Sequence, residues 1–305
     1  MKLPSLSLLA VAGLLVTPVF GQAPGVAIER GAEIERDQGI LKIATELREA
    51  GKLLSREQVN EMLKKPEGCA IELPAPQTAR LTPPEIAAKA KKGYVRIGWL
   101  YLCPRCDHWH LNLAGGYAID SKGTVATCDH CVRSDREMRE GYLIAVDDEE
   151  KVYPVKAVLA ASEDMDVALL RVEGANFEPL ALQDQIVPGD AAFLYSEPFG
   201  HAGYFSTGIV NRFYWNSGEP GDPMKLEDAK RLRLNVSTDW APGSSGAAVM
   251  DAFGNAIGHV SRIETRGSEP KGKQPGQTMI AFREAVPARA VMLLAKPATT
   301  AAASE

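Results

Sequence analysis

Hydrophobic residues near the N-terminus recur at helical spacings. Between residues 25 and 66, isoleucines and leucines lie three or four positions apart with Glu, Arg and Lys between them, which predicts helix. Ser55 with Gln58 three residues later matches a capping box and predicts a second short helix. Thr82, followed by two prolines, predicts the N-cap of a further helix that ends at Gly93.

From residue 94 onward, short runs of β-forming residues alternate with turns rich in Gly, Asp and Pro. Turn signals recur about every 8–12 residues, which is typical of an all-β barrel or sandwich. The predicted strands cover residues 94–102, 110–119, 124–127, 142–146, 152–160, 167–172, 191–195, 207–213, 232–236, 247–250, 256–260 and 279–282. We therefore predict an all-β domain that follows a helical extension and ends in a short helix over 288–294.

The first 21 residues have the features of a secretory signal peptide. Lys2 is followed by an apolar run, and Val19 and Gly21 suit cleavage before Gln22. The run is short for a bilayer span of about 20 residues, although an uncleaved anchor is the alternative. We expect a signal peptide over 1–21, a helical extension and linker over 22–92, a β domain over 93–296 and a disordered tail over 297–305. The mature protein would be exported, to the periplasm or outside the cell, and free of the membrane.

Composition narrows the function classes. The 305 residues are 45% hydrophobic and 24% charged, which is ordinary for a globular protein and excludes collagen-like or fully disordered chains. The formal net charge of −5 argues against broad nucleic-acid binding, which requires a basic surface.

Three short segments supply candidate chemistry. His130 follows a strand, Asp166 directly precedes an apolar strand, and Ser245 lies in a glycine-rich turn before another strand. A serine hydroxyl is a poor nucleophile, so it needs a base such as His130, and an acid such as Asp166 would hold the imidazole tautomer. The turn at Gly243 and Ser245 would aim two backbone N–H groups at one point, as an oxyanion hole does.

Together these segments resemble the trypsin-like serine proteases of the chymotrypsin fold, nearest the bacterial HtrA (DegP-like) branch. The matching segments, in chain order, are Gly115-Gly116-Tyr117-Ala118-Ile119-Asp120, Thr127 to Val132, Asp166 to Val172, Pro198-Phe199-Gly200, Ser206 to Val210, Thr238 to Gly246 and Gly254 to Gly258. The resemblance implies two antiparallel β-barrels with the site in the cleft between them. It implies catalytic roles for His130, Asp166 and Ser245 and an oxyanion hole at Gly243 and Ser245.

Two further residues concern the neighbourhood of the site. Ser261 resembles the serine that supports the buried acid in this fold, and it is also a candidate for the substrate pocket. Asp239 lies six residues before Ser245, where trypsin-type enzymes place an acid that selects Lys or Arg substrates. A turn element without a pocket role is the interpretation that we favour for Asp239.

The chain departs from the family pattern in two respects. The family usually has Gly-Asn-Ser-Gly-Gly-Pro at the nucleophile, whereas Ala247 here adds a Cβ where glycine is the norm. No PDZ-like domain is expected after the last strand. Ala247 and the helical extension motivate an alternative function, a catalytically inactive protease-like module that binds a protein partner.

Four of the five cysteines form two CxxC pairs, and Cys69 is the fifth. The spacing of Cys103, Cys106, Cys128 and Cys131 is close to that of a four-thiolate zinc site. Asp107, His108 and His110 could extend such a site, although a polar hairpin tip is the simpler interpretation. Export favours disulfides instead, so we expect disulfides and no resident metal. The four cysteines allow three pairings, and Cys69 could be free or pair with any of them.

The leading hypothesis is an exported serine endopeptidase that cleaves protein or peptide substrates through an acyl-enzyme and needs no cofactor. The inactive binding module and a zinc-stabilised structural protein are the alternatives. The oligomeric state is open.

Overall fold

The structure, a computed structural model, describes residues 34–64, 69–175, 177–268 and 277–295. The expected signal peptide and the expected tail lie outside these residues. Three helices form the N-terminal part: α1 (Ile34–Glu49), α2 (Arg56–Met62) and α3 (Pro83–Gly93). A two-residue strand, β1 (Leu54–Ser55), separates α1 from α2. Among the described residues, none of the helices is both long enough and apolar enough to cross a membrane.

The helix starts follow the capping chemistry of the sequence. Gln58 N–H donates to the Ser55 hydroxyl, and Ser55 N–H donates to the Gln58 side chain at 2.9 Å, so the capping box is present. At α3, the Thr82 backbone and hydroxyl both donate to Glu85, and Pro83 occupies the first turn, where its missing N–H costs nothing.

The first β unit is an eight-stranded antiparallel sheet. Its strands pair in the order β3-β2-β6-β7-β8-β5-β4, with β1 added to β6. After β1, the strands in chain order are β2 (Arg96–Leu102), β3 (Trp109–Ala114), β4 (Tyr117–Ala118), β5 (Thr124–Thr127), β6 (Glu140–Val146), β7 (Val152–Ser162) and β8 (Val167–Val172). A one-turn helix, α4 (Asp129–Val132), follows β5.

The second β unit is a closed six-stranded barrel with the order β10-β11-β14-β13-β12-β9. Its strands are β9 (Ala191–Ser196), β10 (Tyr204–Trp215), β11 (Leu232–Val236), β12 (Ala248–Met250), β13 (Ala256–Gly267) and β14 (Thr278–Pro287). Two short helices accompany it, α5 (Leu226–Ala229) and α6 (Ala288–Leu294).

The all-β prediction with a helical N-terminal extension is confirmed. The two β units differ in closure. Hydrogen bonds between strands close the second unit into a barrel, whereas the first is a half-barrel. In the first unit, β4 is only two residues long, and a single bridge between Tyr94 and Tyr117 joins it to the segment before β2. So short a strand cannot supply the ladder that full closure requires.

The helical extension is part of the core. Ile40 and Ala44 of α1 pack with Leu100 and Ile144 of the first sheet. The segment after α2 is extended, as expected, and is bound to the second barrel, because Cys69 N–H donates to the Leu294 carbonyl at 2.8 Å. The extension therefore covers apolar surface of both β units.

A buried ion pair joins the two β units. Arg96, at the start of β2, lies 3.1 Å from the Glu197 carboxylate, which directly follows β9, and both side chains are only 7% exposed. Arg96 also contacts Asp37 of α1 at 3.1 Å. One guanidinium thus connects the extension, the first sheet and the second barrel.

We expect Glu197→Gln to lower the free energy of unfolding by about 3 kcal/mol, because the buried side of Arg96 would then face a neutral amide. Urea denaturation followed by tryptophan fluorescence measures this loss. The matched control is Glu137→Gln, which removes an exposed partner of Arg105 at 3.6 Å and is expected to change stability by less than about 0.5 kcal/mol. Equal effects of the two substitutions would contradict a structural role for the buried pair.

Candidate active site

A polar cavity lies at the junction of the two β units. β3 contributes Asn112, Leu113 and Ala114 to its wall, α4 contributes His130, and the turn before β12 contributes Ser245. The structure therefore brings residues from distant parts of the sequence to one cleft.

His130 and Asp166 are in direct hydrogen-bond contact. The His130 Nδ1 atom lies 2.9 Å from one Asp166 carboxylate oxygen and 3.0 Å from the other, and the His130 backbone N–H donates to the same carboxylate at 3.2 Å. Asp166 lies in the turn between β7 and β8 with a φ of 58°, a left-handed conformation that aspartate tolerates better than most residues. The acid thus fixes both the backbone and the ring of His130.

Two residues of β13 hold Asp166 from the other side. The Ser261 hydroxyl donates to the Asp166 carboxylate at 2.6 Å. The Nε2 atom of His259 donates to the Asp166 backbone carbonyl at 3.1 Å. His259 is fully buried, and burial lowers its pKa, which favours the neutral ring. The family resemblance implied the role of Ser261, but it assigned none to His259.

The contacts shift the pKa values of both members of the pair. Burial alone raises the pKa of the Asp166 carboxyl, but the hydrogen bond and charge of His130, with the Ser261 hydroxyl, hold that pKa well below its ordinary value. Burial disfavours the imidazolium, yet Asp166 and the neighbouring Cys131 outweigh it and raise the pKa of His130 above its ordinary value. The two pKa values are thus shifted in opposite directions by the contact between His130 and Asp166.

Ser245 lies in a turn that is tightly held by glycines. The Gly115 N–H donates to the Ser245 carbonyl at 2.7 Å. Gly243 has a φ of 101°, and a Cβ there would lie 2.6 Å from the Glu197 carbonyl oxygen. A Cβ on Gly246 would lie 2.2 Å from the Gly115 carbonyl oxygen. No side chain larger than glycine fits either position without moving the turn.

The Ser245 hydroxyl donates to the Ser261 carbonyl at 3.4 Å. It lines the same cavity as His130, although no hydrogen bond joins the two side chains among the described residues. Within the same part of the chain, the backbone N–H groups of Gly243 and Ser245 donate to no protein acceptor. The turn therefore presents two free donors beside the serine hydroxyl.

Ala247 does not strain this turn. It is fully buried, its φ is not positive, and its N–H donates to the Ser244 carbonyl at 3.0 Å. The left-handed conformation falls on Gly246 instead. The Cβ of Ala247 therefore occupies core space and needs no unusual backbone conformation.

Asp239 is apart from the His130 cavity. Its carboxylate pairs with Arg283 at 2.6 Å, and it lines a neighbouring cavity with Phe199 and Trp240. The charge of Asp239 is thus compensated by Arg283 within the chain. Ser261, the other pocket candidate, directs its hydroxyl at Asp166.

All five cysteines are free thiols, so the expected disulfide is not found. The four-thiolate zinc alternative is not found either, because the two CxxC pairs belong to separate clusters. Cys128 and Cys131 are buried on α4, whereas Cys103 and Cys106 lie at the tip of the β2–β3 hairpin. Sequence spacing does not report this separation. The neighbouring Cys128 thiol and His130 outweigh burial and lower the pKa of Cys131 to about 6.

We expect Ser261→Ala to destabilise the protein by about 2 kcal/mol at pH 7, because it removes a hydrogen bond to a charged carboxylate. The lowered pKa of Asp166 contributes stability above the unfolded-state pKa of about 4, and this contribution is lost as the pH falls. The difference between the two proteins should therefore shrink below about pH 4.

Urea denaturation across this pH range is the measurement. Ser217→Ala, which removes an exposed hydroxyl bonded only to its neighbour Asn216, is the control and should show no such pH dependence. A Ser261→Ala effect that is independent of pH would contradict a contact with the ionised carboxylate.

Part of this chain is similar to known proteins. Residues 114–258 match the family model of a trypsin-like peptidase domain. The serine protease PepD of Mycobacterium tuberculosis is 30% identical over 133 residues, which are 41% of this chain and 27% of that protein. The chain thus matches about a quarter of the length of this curated relative.

Two solved structures of the HtrA-type protease AlgW with tripeptide, the second of them a variant, also align with this chain. They have TM-scores of 0.48 and 0.49 at 17% and 16% identity, and the alignments cover 68% and 70% of this chain and 60% and 62% of those chains. The family-model match over residues 114–258 confirms the resemblance to the trypsin-like proteases that the sequence predicted.

Proposed function

We propose that this protein is a serine endopeptidase in which Ser245 is the nucleophile, His130 the general base and Asp166 the acid that orients His130. The observation that carries the proposal is the continuous chain of contacts from Ser261 through Asp166 to His130 at a cavity that Ser245 also lines. The Asp166 contact to Nδ1 leaves Nε2 of His130 for the serine proton.

The proposed reaction is acyl transfer in two steps. Ser245 Oγ attacks the carbonyl carbon of a peptide bond while His130 takes the hydroxyl proton and then returns it to the departing amine. The C–N bond breaks and an ester to Ser245 forms. Water, deprotonated by His130, then releases the acid product and restores the hydroxyl. The hydroxyl must first turn away from the Ser261 carbonyl, which it contacts weakly at 3.4 Å.

The free N–H groups of Gly243 and Ser245 would stabilise the oxyanion. They lie in a rigid turn, so they need little reorganisation when negative charge develops on the carbonyl oxygen. The unstrained backbone of Ala247 removes one reason to expect an inactive module. We further propose that the protein is exported, because Lys2 and the apolar run after it have the features of a signal peptide. Protein or peptide substrates follow from the peptidase chemistry.

A fluorophosphonate should add once to the full-length protein, because an activated serine attacks phosphorus as it attacks a carbonyl. Intact-mass spectrometry detects the adduct. Ser245→Ala should abolish labelling, whereas Ser244→Ala, which removes the neighbouring hydroxyl in the same turn, should retain it once circular dichroism shows a native fold. Hydrolysis of casein should fall about 10⁶-fold in Ser245→Ala. A folded wild-type protein that forms no adduct would favour the inactive binding module.

The pH dependence of fluorophosphonate labelling should reflect the raised pKa of His130. Only neutral imidazole accepts the serine proton, so the labelling rate should rise with pH around a midpoint above the ordinary histidine value of about 6.5. Cys131→Ala removes one cause of the raised pKa and should move this midpoint to lower pH.

Cys69→Ala changes a thiol remote from His130 and should leave the pH profile unchanged. A wild-type midpoint at or below about 6.5, or no movement in Cys131→Ala, would contradict the assignment of His130 and its neighbour.

A further inference from the structure

The tip of the β2–β3 hairpin contains a second cluster of metal-ligating side chains that the proposed catalysis does not use. Cys103 and Cys106 precede the turn back into β3, and His110 is the second residue of that strand. We propose that these three side chains bind one zinc ion, with water in a fourth, open position.

The ligand atoms are already close to a coordination geometry. The Sγ atoms of Cys103 and Cys106 and a ring nitrogen of His110 all lie within 4.8 Å of one another. Cys106 Sγ is 3.0 Å from His110 Nε2. Zn–S and Zn–N bonds of about 2.3 and 2.0 Å in a tetrahedron place ligand atoms roughly 3.5–3.8 Å apart. Only small side-chain movements are therefore needed to bind the ion.

The turn also supports a metal-bound thiolate. The Arg105 N–H points at Cys103 Sγ at 3.4 Å, and the Cys103 N–H donates to the His108 carbonyl at 3.0 Å. A backbone donor to a ligating sulfur offsets its charge and fixes its direction. The backbone of the turn is therefore already arranged to support a thiolate ligand.

Neighbouring contacts hold the hairpin tip in place. Asp107 has a φ of 56°, which turns the chain sharply, and its carboxylate pairs with Arg139 at 2.6 Å. The Arg139 N–H donates to the Leu102 carbonyl at 3.0 Å. The ring of His110 lies 5.6 Å from that of Tyr101. Cys106 is exposed, so an ion reaches the cluster from solvent.

The other cysteine cluster is a poorer site. The Cys128 thiol is buried and donates to the Val260 carbonyl at 3.0 Å, and Nδ1 of His130 is bound to Asp166. Zinc binding there would break both contacts. In the hairpin cluster, the contact of Cys106 Sγ with His110 Nε2 joins two of the proposed ligands to each other, so among the described residues zinc binding there breaks no bond to a residue outside the cluster. Soft thiolate and imidazole ligands of this kind suit zinc.

A bound ion would brace β3, whose C-terminal half lines the cavity of His130 and Ser245. The inference therefore goes beyond the proposed peptidase activity and does not depend on it, because serine labelling is measured separately.

The test is titration of the reduced full-length protein with Co²⁺, a spectroscopic substitute for zinc. We expect one equivalent to bind, with a thiolate-to-cobalt charge-transfer band, and one equivalent of Zn²⁺ to displace it. The double variant Cys103→Ser/Cys106→Ser should lose the charge-transfer band. His110→Ala, which leaves both sulfurs, should weaken binding by about tenfold or more.

The matched control is Cys128→Ser/Cys131→Ser, which removes the other thiol pair and should retain the band. Cys69→Ser is a second control, for the case that the buried pair is needed for folding. Three outcomes would overturn the proposal: no charge-transfer band in the wild type, a band that persists in Cys103→Ser/Cys106→Ser, or a band that requires Cys128 and Cys131 in a folded variant.

Discussion

The candidate site depends on the position of one carboxylate, that of Asp166. It accepts hydrogen bonds from the backbone and ring of His130 on one side and from the Ser261 hydroxyl on the other. His259 binds the backbone carbonyl of the same residue. Because His130 lies on α4 in the first β unit and the two partners on β13 belong to the second barrel, the acid is bonded to both halves of the cleft.

The same contacts explain why a charge is tolerated at this depth. An isolated buried carboxylate would be protonated, but the adjacent His130 imidazole and two further donors, the His130 backbone N–H and the Ser261 hydroxyl, offset its desolvation. The site is consequently a network of paired charges in the polar cleft between the two β units. The Arg96–Glu197 pair is a second case in which buried charges are paired, and it lies behind the turn that contains Gly243.

The sequence predicted those features that local chemistry determines. The helix caps at Ser55 and Thr82 depend only on residues three positions apart in the sequence. The strands after residue 94 were predicted from short runs of β-forming residues and from the spacing of turn residues. The His, Asp and Ser segments were found because each sits at a strand end with a characteristic neighbour. The structure brings all three segments to one junction.

Features that depend on distant packing could not be predicted. The expected disulfide and the alternative four-thiolate zinc site were both wrong. Spacing along the chain does not show which side of α4 faces the core. The structural roles of His259 and Arg96 were missed for the same reason, since their partners lie far away in sequence. Only the second β unit closes into a barrel, because β4 of the first unit is so short.

The hydrogen bond from Gly115 to Ser245 has a consequence for biosynthesis. Most of both β units lies between these two residues in the sequence. A nascent chain that has emerged only as far as β8 therefore contains His130 and Asp166. It contains neither the serine turn nor the β13 residues that hold the acid. Contacts of such long range form late in folding. The cleft is therefore completed only when nearly the whole domain has been synthesised, and an interrupted chain would leave the ribosome without an assembled site.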